Sequence, residues 1–196
     1  MINWYGKEIV LASKSERRKR LLKIIVNEFT ITRPNYLEQN HEQLAPERLV
    51  QNHAQGKALS VVGNFKNAWI ISADTIVVAE NQILGKPNSY DEAFCMLKFL
   101  SGKKHDVYTG YCVLNSDTGK FILDYEKTTV RFRHLNDDLI KFYVDNYTPL
   151  DKAGSYGIQD FSAVFIEKIE GCYFNVVGFP IPRFFHTVKK ELHKCL

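Results

Sequence analysis

One aspartate stands where an aspartate is costly. Asp74 sits among Ile70, Ile71, Ala73, Ile76 and Val77, and a carboxylate in such company needs a cation or hydrogen bonds to offset its burial. Its chemistry would then be divalent-metal binding or activation of water. The plainer reading makes it a turn residue between two short strands, bonded locally with Thr75. A second concentration of charge spans residues 14–23, where Lys14, Arg17, Arg18, Lys19, Arg20 and Lys23 face only Glu16 at the start of a helical pattern. The helix dipole already makes that end positive. Backbone N–H groups, the hydroxyls of Ser13 and Ser15 and the guanidinium forks could cradle a phosphate there. A solvated basic face with Ser13 or Ser15 as an ordinary N-cap accounts for it equally well. Arg17 and Arg18 point about 100° apart on a helix, so only some of these charges can face one ligand.

Two loops complete the candidates. Asp151 to Gln159 contains Gly154 and Gly157, which allow close backbone approach. Lys152 and Gln159 could contact a phosphate and a base edge there, against an ordinary surface loop. Gly85-Lys86-Pro87 could restrain a Lys facing phosphates but lacks P-loop spacing, and such a tripeptide is more often a turn. Histidines 41, 53, 105, 134, 186 and 193 show no HxxxH or HxH spacing, and Cys95, Cys112, Cys172 and Cys195 form no CxxC pair. Neither a zinc site nor a disulfide framework is expected. Ser13 and Ser15 lack a GxSxG elbow, which disfavours covalent catalysis.

The elements that must position these residues follow from periodicity. Ile9 to Ala12 reads as a strand, followed by a tight turn and a helix with Leu21, Leu22, Ile25, Val26 and Phe29 on one face. Residues 45–62 read as a second helix. Trp69–Ala73 and Ile76–Val78 read as β segments around Asp74-Thr75, with a polar turn at Glu80-Asn81. Ser89 and Glu92 open a helix with Ala93, Phe94, Leu97 and Leu100 inward and Gly102 beyond its end. Two long strands between His105 and Arg133, joined around Asn115–Gly119, should pair as an antiparallel ribbon. Asn136–Val144 is helical, 149–159 loop-like, Phe161–Ile169 a strand and Ile181–Lys194 a closing amphipathic helix. The fold class is α/β or α+β, a mixed sheet with flanking helices.

The 196 residues are 45% hydrophobic and 24% charged, enough for one sizeable core without staples and outside the disordered range. With 26 basic and 22 acidic residues the net charge is +4, which suits an anionic ligand but does not by itself indicate nucleic acid. No apolar run reaches a membrane span, and Met1 to Lys7 carries no signal core. A cytoplasmic protein is expected, organised as one domain over 1–196.

Taken in order, several segments resemble the Maf family of nucleotide pyrophosphatases: Leu11-Ala12-Ser13-Lys14-Ser15-Glu16-Arg17-Arg18, Ala73-Asp74-Thr75, Leu84-Gly85-Lys86-Pro87, Leu100-Ser101-Gly102, Asp151-Lys152-Ala153-Gly154, Gly157-Ile158-Gln159 and Asn175-Val176-Val177-Gly178-Phe179-Pro180. The resemblance runs from about Ile9 to Pro180. It implies a fold similar to that of inosine triphosphate pyrophosphatase, with two lobes around a cleft, and hydrolysis of a nucleoside triphosphate to monophosphate and pyrophosphate. Asp74 would be the family's catalytic acidic residue, accepting a proton from the attacking water or ligating a metal. Glu38 would help hold a divalent ion, Mg²⁺ or Mn²⁺. Ser13, Ser15, Arg18, Lys57, Lys86 and Lys152 would neutralise the phosphates.

Arg17, Thr75 and Gln159 match the members that cleave dTTP and UTP, and an amide can serve both the carbonyls and the N–H of a pyrimidine edge. The sequence departs from the family pattern at Glu16, where Pro is usual, and at Asp160, where Gly is usual. The acidic run usual before Glu38 is thin. Alternatives are another base preference, such as 7-methyl-GTP, or a nucleotide-binding regulator of septum formation with little turnover. No nucleic-acid or membrane partner is expected, and a homodimer is allowed but not required.

Overall fold

A computed structural model describes residues 1–38 and 44–196; His41 lies outside the described residues. Strand β1 (Glu8–Ala12) leads through the Ser-Lys-Ser turn into helix α1 (Glu16–Lys23). The helix is shorter than its apolar pattern. Leu21 and Leu22 are buried within it, but Val26 is buried beyond its end, and Phe29 precedes β2 (Thr30–Thr32), a strand too short to show a period in sequence. Helix α2 (Pro46–Val62) takes Pro in its first turn, as expected of that boundary. β1 pairs in parallel with β2 and with β3 (Ala68–Ala79). Parallel neighbours require a crossover, which α1 and α2 supply.

β3 corrects the division of this segment into two. It runs unbroken for twelve residues, buried everywhere except at half-buried Thr75 and Val78. Asp74 is therefore a strand residue, and its reading as a turn is excluded. Glu80 and Asn81, with φ of 49° and 64°, make the two-residue turn to β4 (Gln82–Leu84), the geometry that matches a twisted hairpin.

Helix α3 (Tyr90–Leu100) is capped by Ser89, whose Oγ accepts from Glu92 N–H at 3.1 Å. The Glu92 carboxylate reaches back one residue further than a capping box requires, to Asn88 N–H at 2.7 Å. β5 (Lys104–Asn115) and β6 (Phe121–Phe132) are sheet neighbours joined by five residues, a link only antiparallel strands permit. Helix α4 (Asp137–Asn146) is capped by Asn136. The strand expected over Phe161–Ile169 divides. Asp160 accepts from Ser162 N–H and starts a 3₁₀ turn over Phe161–Phe165, so only β7 (Ile166–Glu170) is extended. Helices α5 (Tyr173–Val177) and α6 (Ile181–Glu191) follow. The strand order is β2-β1-β3-β5-β6-β7, with β4 on β3.

The chain forms two compact units, the first from Met1–Asp74, Thr109–Glu126 and Gly178–Leu196, the second from Thr75–Tyr108 and Lys127–Val177. In the first, Ala54 and Ala58 of α2 pack on Val10, Ile70, Cys112 and Leu114. A Cβ at Gly110 would lie 2.5 Å from the Val50 carbonyl carbon, so the glycine lets α2 touch β5 backbone to backbone. In the second, Leu97 and Leu100 of α3 and Ile140 and Tyr143 of α4 close over Val107, Phe132 and Phe165.

That second core contains His105, whose Nε2 shares a 2.8 Å hydrogen bond with the Tyr156 hydroxyl and whose ring meets Phe132 edge-on at 4.8 Å. Burial lowers its pKa to about 4, against a small opposing effect of Asp106. The folded state thus favours the neutral ring, while the unfolded chain takes a proton near pH 6.5. This contribution is complete above pH 6.5 and is lost as the pH falls toward 4. It amounts to about 3 kcal/mol. Urea unfolding from pH 7 to pH 4 should show this slope, and His105→Leu should remove that part of it; an unchanged slope would refute the assignment.

Candidate functional site

Asp74 lies in the middle of β3 and is 4% exposed. Its Oδ1 is 2.6 Å from the Lys57 ammonium, which comes from α2 across the sheet face and is itself buried. The same ammonium stands 2.6 Å from Glu38 Oε1. Two carboxylates therefore share one cation. Burial pushes the Asp74 carboxyl up, but the charges of Lys57 and Arg18, the Lys57 hydrogen bond and His53 outweigh it and hold the carboxyl below its usual range. Asp74 is a buried, ionised carboxylate at neutral pH.

The start of α1 adds to this site. Ser15 Oγ caps the helix by accepting from Arg18 N–H at 3.4 Å, and Ser13 Oγ accepts from Ser15 N–H at 3.2 Å. The capping role of Ser15 holds without removing the other, because a hydroxyl that accepts from backbone still has its proton to donate. Half-buried Arg18 donates from Nε to the Gly178 carbonyl at 3.0 Å. Desolvation lowers its pKa, opposed by Asp74 and Glu38, so its charge is felt at both carboxylates. Arg17 is half-buried on the neighbouring face. Glu16, the departure beside it, is exposed and 3.5 Å from Lys19, where it suits the helix dipole.

A pairing not read from sequence precedes Glu38 in the chain. Tyr36, two residues earlier, hydrogen-bonds His53 Nδ1 at 3.1 Å, and its ring lies over Gly56, where a Cβ would come within 2.2 Å. Burial, Asp74 and Glu38 raise the Tyr36 pKa, so its hydroxyl stays neutral. Seventeen residues separate Tyr36 and His53 and no motif joins them. The available signal was Gly56 itself, since a glycine inside a helix costs about 1 kcal/mol against Ala and asks for a packing reason.

The remaining residues lie in the second unit. Thr75 is half-buried on β3, and Lys86 is exposed with no ion pair among the described residues. Lys152 is buried, and its ammonium lies 2.5 Å from the Thr148 carbonyl, 2.6 Å from Asp151 Oδ1 and 3.5 Å from Asp160 Oδ2. It is committed to its own loop rather than presented outward. Gln159 is exposed on a turn.

The first-unit site offers two hard carboxylate donors, Asp74 and Glu38, for a divalent ion, both here on the Lys57 ammonium. No group of three or more His, Cys, Asp or Glu that could hold a metal occurs among the described residues. A pair of carboxylates suits an ion that shares its coordination with phosphate and water. No helix of the described residues is long and apolar enough to cross a membrane.

A protein of Thermosipho melanesiensis named dTTP/UTP pyrophosphatase is 47% identical over 176 residues, 90% of this chain and 93% of its own. Proteins of the same name from Thermotoga maritima and Carboxydothermus hydrogenoformans are 49% and 44% identical, over 88% and 93% of this chain and 84% and 98% of theirs. The solved structure of the Staphylococcus aureus Ham1 protein overlaps 64% of this chain and 72% of its own at 15% identity and a TM-score of 0.45, too distant to bear on the site. The family model described as Maf-like protein matches residues 8–191. The chain, with its paired carboxylates on one lysine, belongs to the Maf family.

Proposed function

We propose that this chain is a nucleoside triphosphate pyrophosphatase that cleaves dTTP and UTP to the monophosphate and pyrophosphate, with a divalent cation as cofactor. The observation that carries the reading is Asp74: a carboxylate buried in a strand, kept ionised by Lys57 and Arg18, with Glu38 on the same ammonium. The names of the Thermosipho, Thermotoga and Carboxydothermus relatives support the substrate class.

In this mechanism Asp74 orients the attacking water and accepts its proton, which requires the ionised form found here. Ser13, Ser15 and Arg18 donate to phosphate oxygens at the start of α1, where backbone N–H groups and the dipole favour an anion. Lys57 keeps the two carboxylates apart from each other's charge and helps balance the phosphates. Glu38 and Asp74 would hold Mg²⁺ or Mn²⁺, which when bound polarises the α-phosphate. Lys86 adds a cation for the phosphates, and Lys152 supports the loop that carries Gln159. Arg17, Thr75 and Gln159 set the base preference, Gln159 by offering donor and acceptor together to a uracil or thymine edge. The reaction is positioning plus electrostatics, with no covalent intermediate.

Pyrophosphate release from dTTP, UTP, CTP, GTP and 7-methyl-GTP, with Mg²⁺, with Mn²⁺ and with chelator, tests this directly. Turnover of dTTP and UTP that stops with chelator is expected. Preference for 7-methyl-GTP would sink the base assignment, and nucleotide binding without turnover would favour the regulator instead.

A further inference from the structure

Asp160 fastens the turn that carries Gln159 from several sides. Its backbone N–H donates to the Gly157 carbonyl at 3.0 Å, closing the four-residue turn 157–160. Its Oδ1 accepts from Ser162 N–H at 2.9 Å and lies 2.7 Å from Ser162 Oγ, which in turn accepts from Gly157 N–H at 2.9 Å. Its Oδ2 accepts from the Tyr143 hydroxyl of α4 at 3.2 Å and lies 3.5 Å from the Lys152 ammonium. Gly157 rests on the Lys152 stem, where a Cβ would come within 2.6 Å of Cε. Ser162 and Lys152 are buried, and between these anchors Gln159 is exposed.

Chain reversal alone needs only the Gly157–Asp160 backbone bond. Here a buried hydroxyl, a tyrosine and an ammonium also hold the Asp160 carboxylate, with an exposed glutamine next to it. Fixing that amide's origin has a chemical use. A half-turn of a glutamine amide exchanges its donor and acceptor, so an unrestrained one satisfies uracil, with its carbonyl and ring N–H, and cytosine, with its amino group and ring nitrogen, equally. A rigid backbone origin does not stop that half-turn, but it fixes the height and angle at which the amide meets the base, and so which of its two orientations pairs well.

We infer that Asp160 is a positioning residue for base choice: its carboxylate locks the 157–160 turn so that Gln159 distinguishes uracil from cytosine. This inference rests on the proposed role of Gln159. The charge of the Asp160 carboxylate is balanced by the Lys152 ammonium at 3.5 Å.

The test measures kcat and KM for UTP and CTP in the parent, Asp160→Ala, Asp160→Asn, Ser162→Ala, Gln159→Ala and the Gln159→Ala/Asp160→Ala double variant, each checked for folding by circular dichroism. Asp160→Ala and Ser162→Ala should each lower the UTP:CTP ratio of kcat/KM about tenfold, chiefly through KM. Asp160→Asn, which keeps the Oδ1 acceptor, should stay within about threefold of the parent. In the Gln159→Ala background the Asp160 change should alter the ratio no further. If Gln159→Ala abolishes discrimination while Asp160→Ala and Ser162→Ala slow both substrates equally, the inference on Asp160 is overturned and Gln159 keeps its role. If Gln159→Ala preserves the parent ratio, both fall together.

Discussion

Asp74→Asn should lower pyrophosphate release from dTTP and UTP by about 10³-fold or more while leaving the fold intact. The substitution keeps the shape and one acceptor oxygen but removes the charge that accepts a proton and attracts a cation, and proton transfer alone is worth 10² to 10⁴ in rate. The stability cost should be moderate: the attraction of Lys57 and Arg18 that outweighs burial is lost, but Lys57 remains paired with Glu38 at 2.6 Å. The informative comparison is thus kcat against melting temperature. A variant that melts within a few degrees of the parent and has lost turnover assigns Asp74 to the chemistry. A variant retaining more than a tenth of the parent's turnover would move the reaction away from this carboxylate.

Lys57→Met should produce the complementary result, a large loss of stability that a divalent cation partly restores. Lys57 and Asp74 are both nearly buried, with side chains 9% and 6% exposed. Removing one partner of a buried pair costs about 3 to 5 kcal/mol when the other charge is left uncompensated, and Arg18 and His53, which also favour the ionised Asp74, put Lys57→Met toward the lower end. Met preserves the apolar stem on α2, so the loss reports the charge. With the ammonium gone, Asp74 and Glu38 face each other, and a cation bound between them repays by mass action. Thermal unfolding with and without Mn²⁺ should show a larger metal-induced shift in Lys57→Met than in the parent. Equal shifts in both proteins, or a variant as stable as the parent in chelator, would contradict the shared-cation geometry.

Local chemistry decides some elements of this fold and tertiary pairing decides others. The cap at Ser89, the helix read over 45–62 and the long β5–β6 ribbon rest on local chemistry that acts within a few residues, and each lies where its pattern indicates. β2 and β4, three residues each, are strands because β1 and β3 offer them ladder partners, which no short window contains. The expected strand from Phe161 was shortened by Asp160, a capping residue whose effect depends on where its carboxylate points.

The candidate site divides in the same way. Asp74 stood out because an acid in an apolar run conflicts with its surroundings, and the Ser-rich, Arg-rich start of α1 stood out because its charge opposes the helix dipole. Those conflicts are one-dimensional and the sequence by itself determined them, together with the motif order that resembles the Maf family. Only the tertiary structure decided that Asp74 lies within a strand, that Lys57 joins it to Glu38, that Tyr36 reaches His53 over Gly56, and that Lys152 turns into its own loop. Each of these is a contact between segments remote in the chain, or the direction of a single side chain. Spacing along a chain constrains neither until the sheet and its crossover helices bring the partners within a few ångströms.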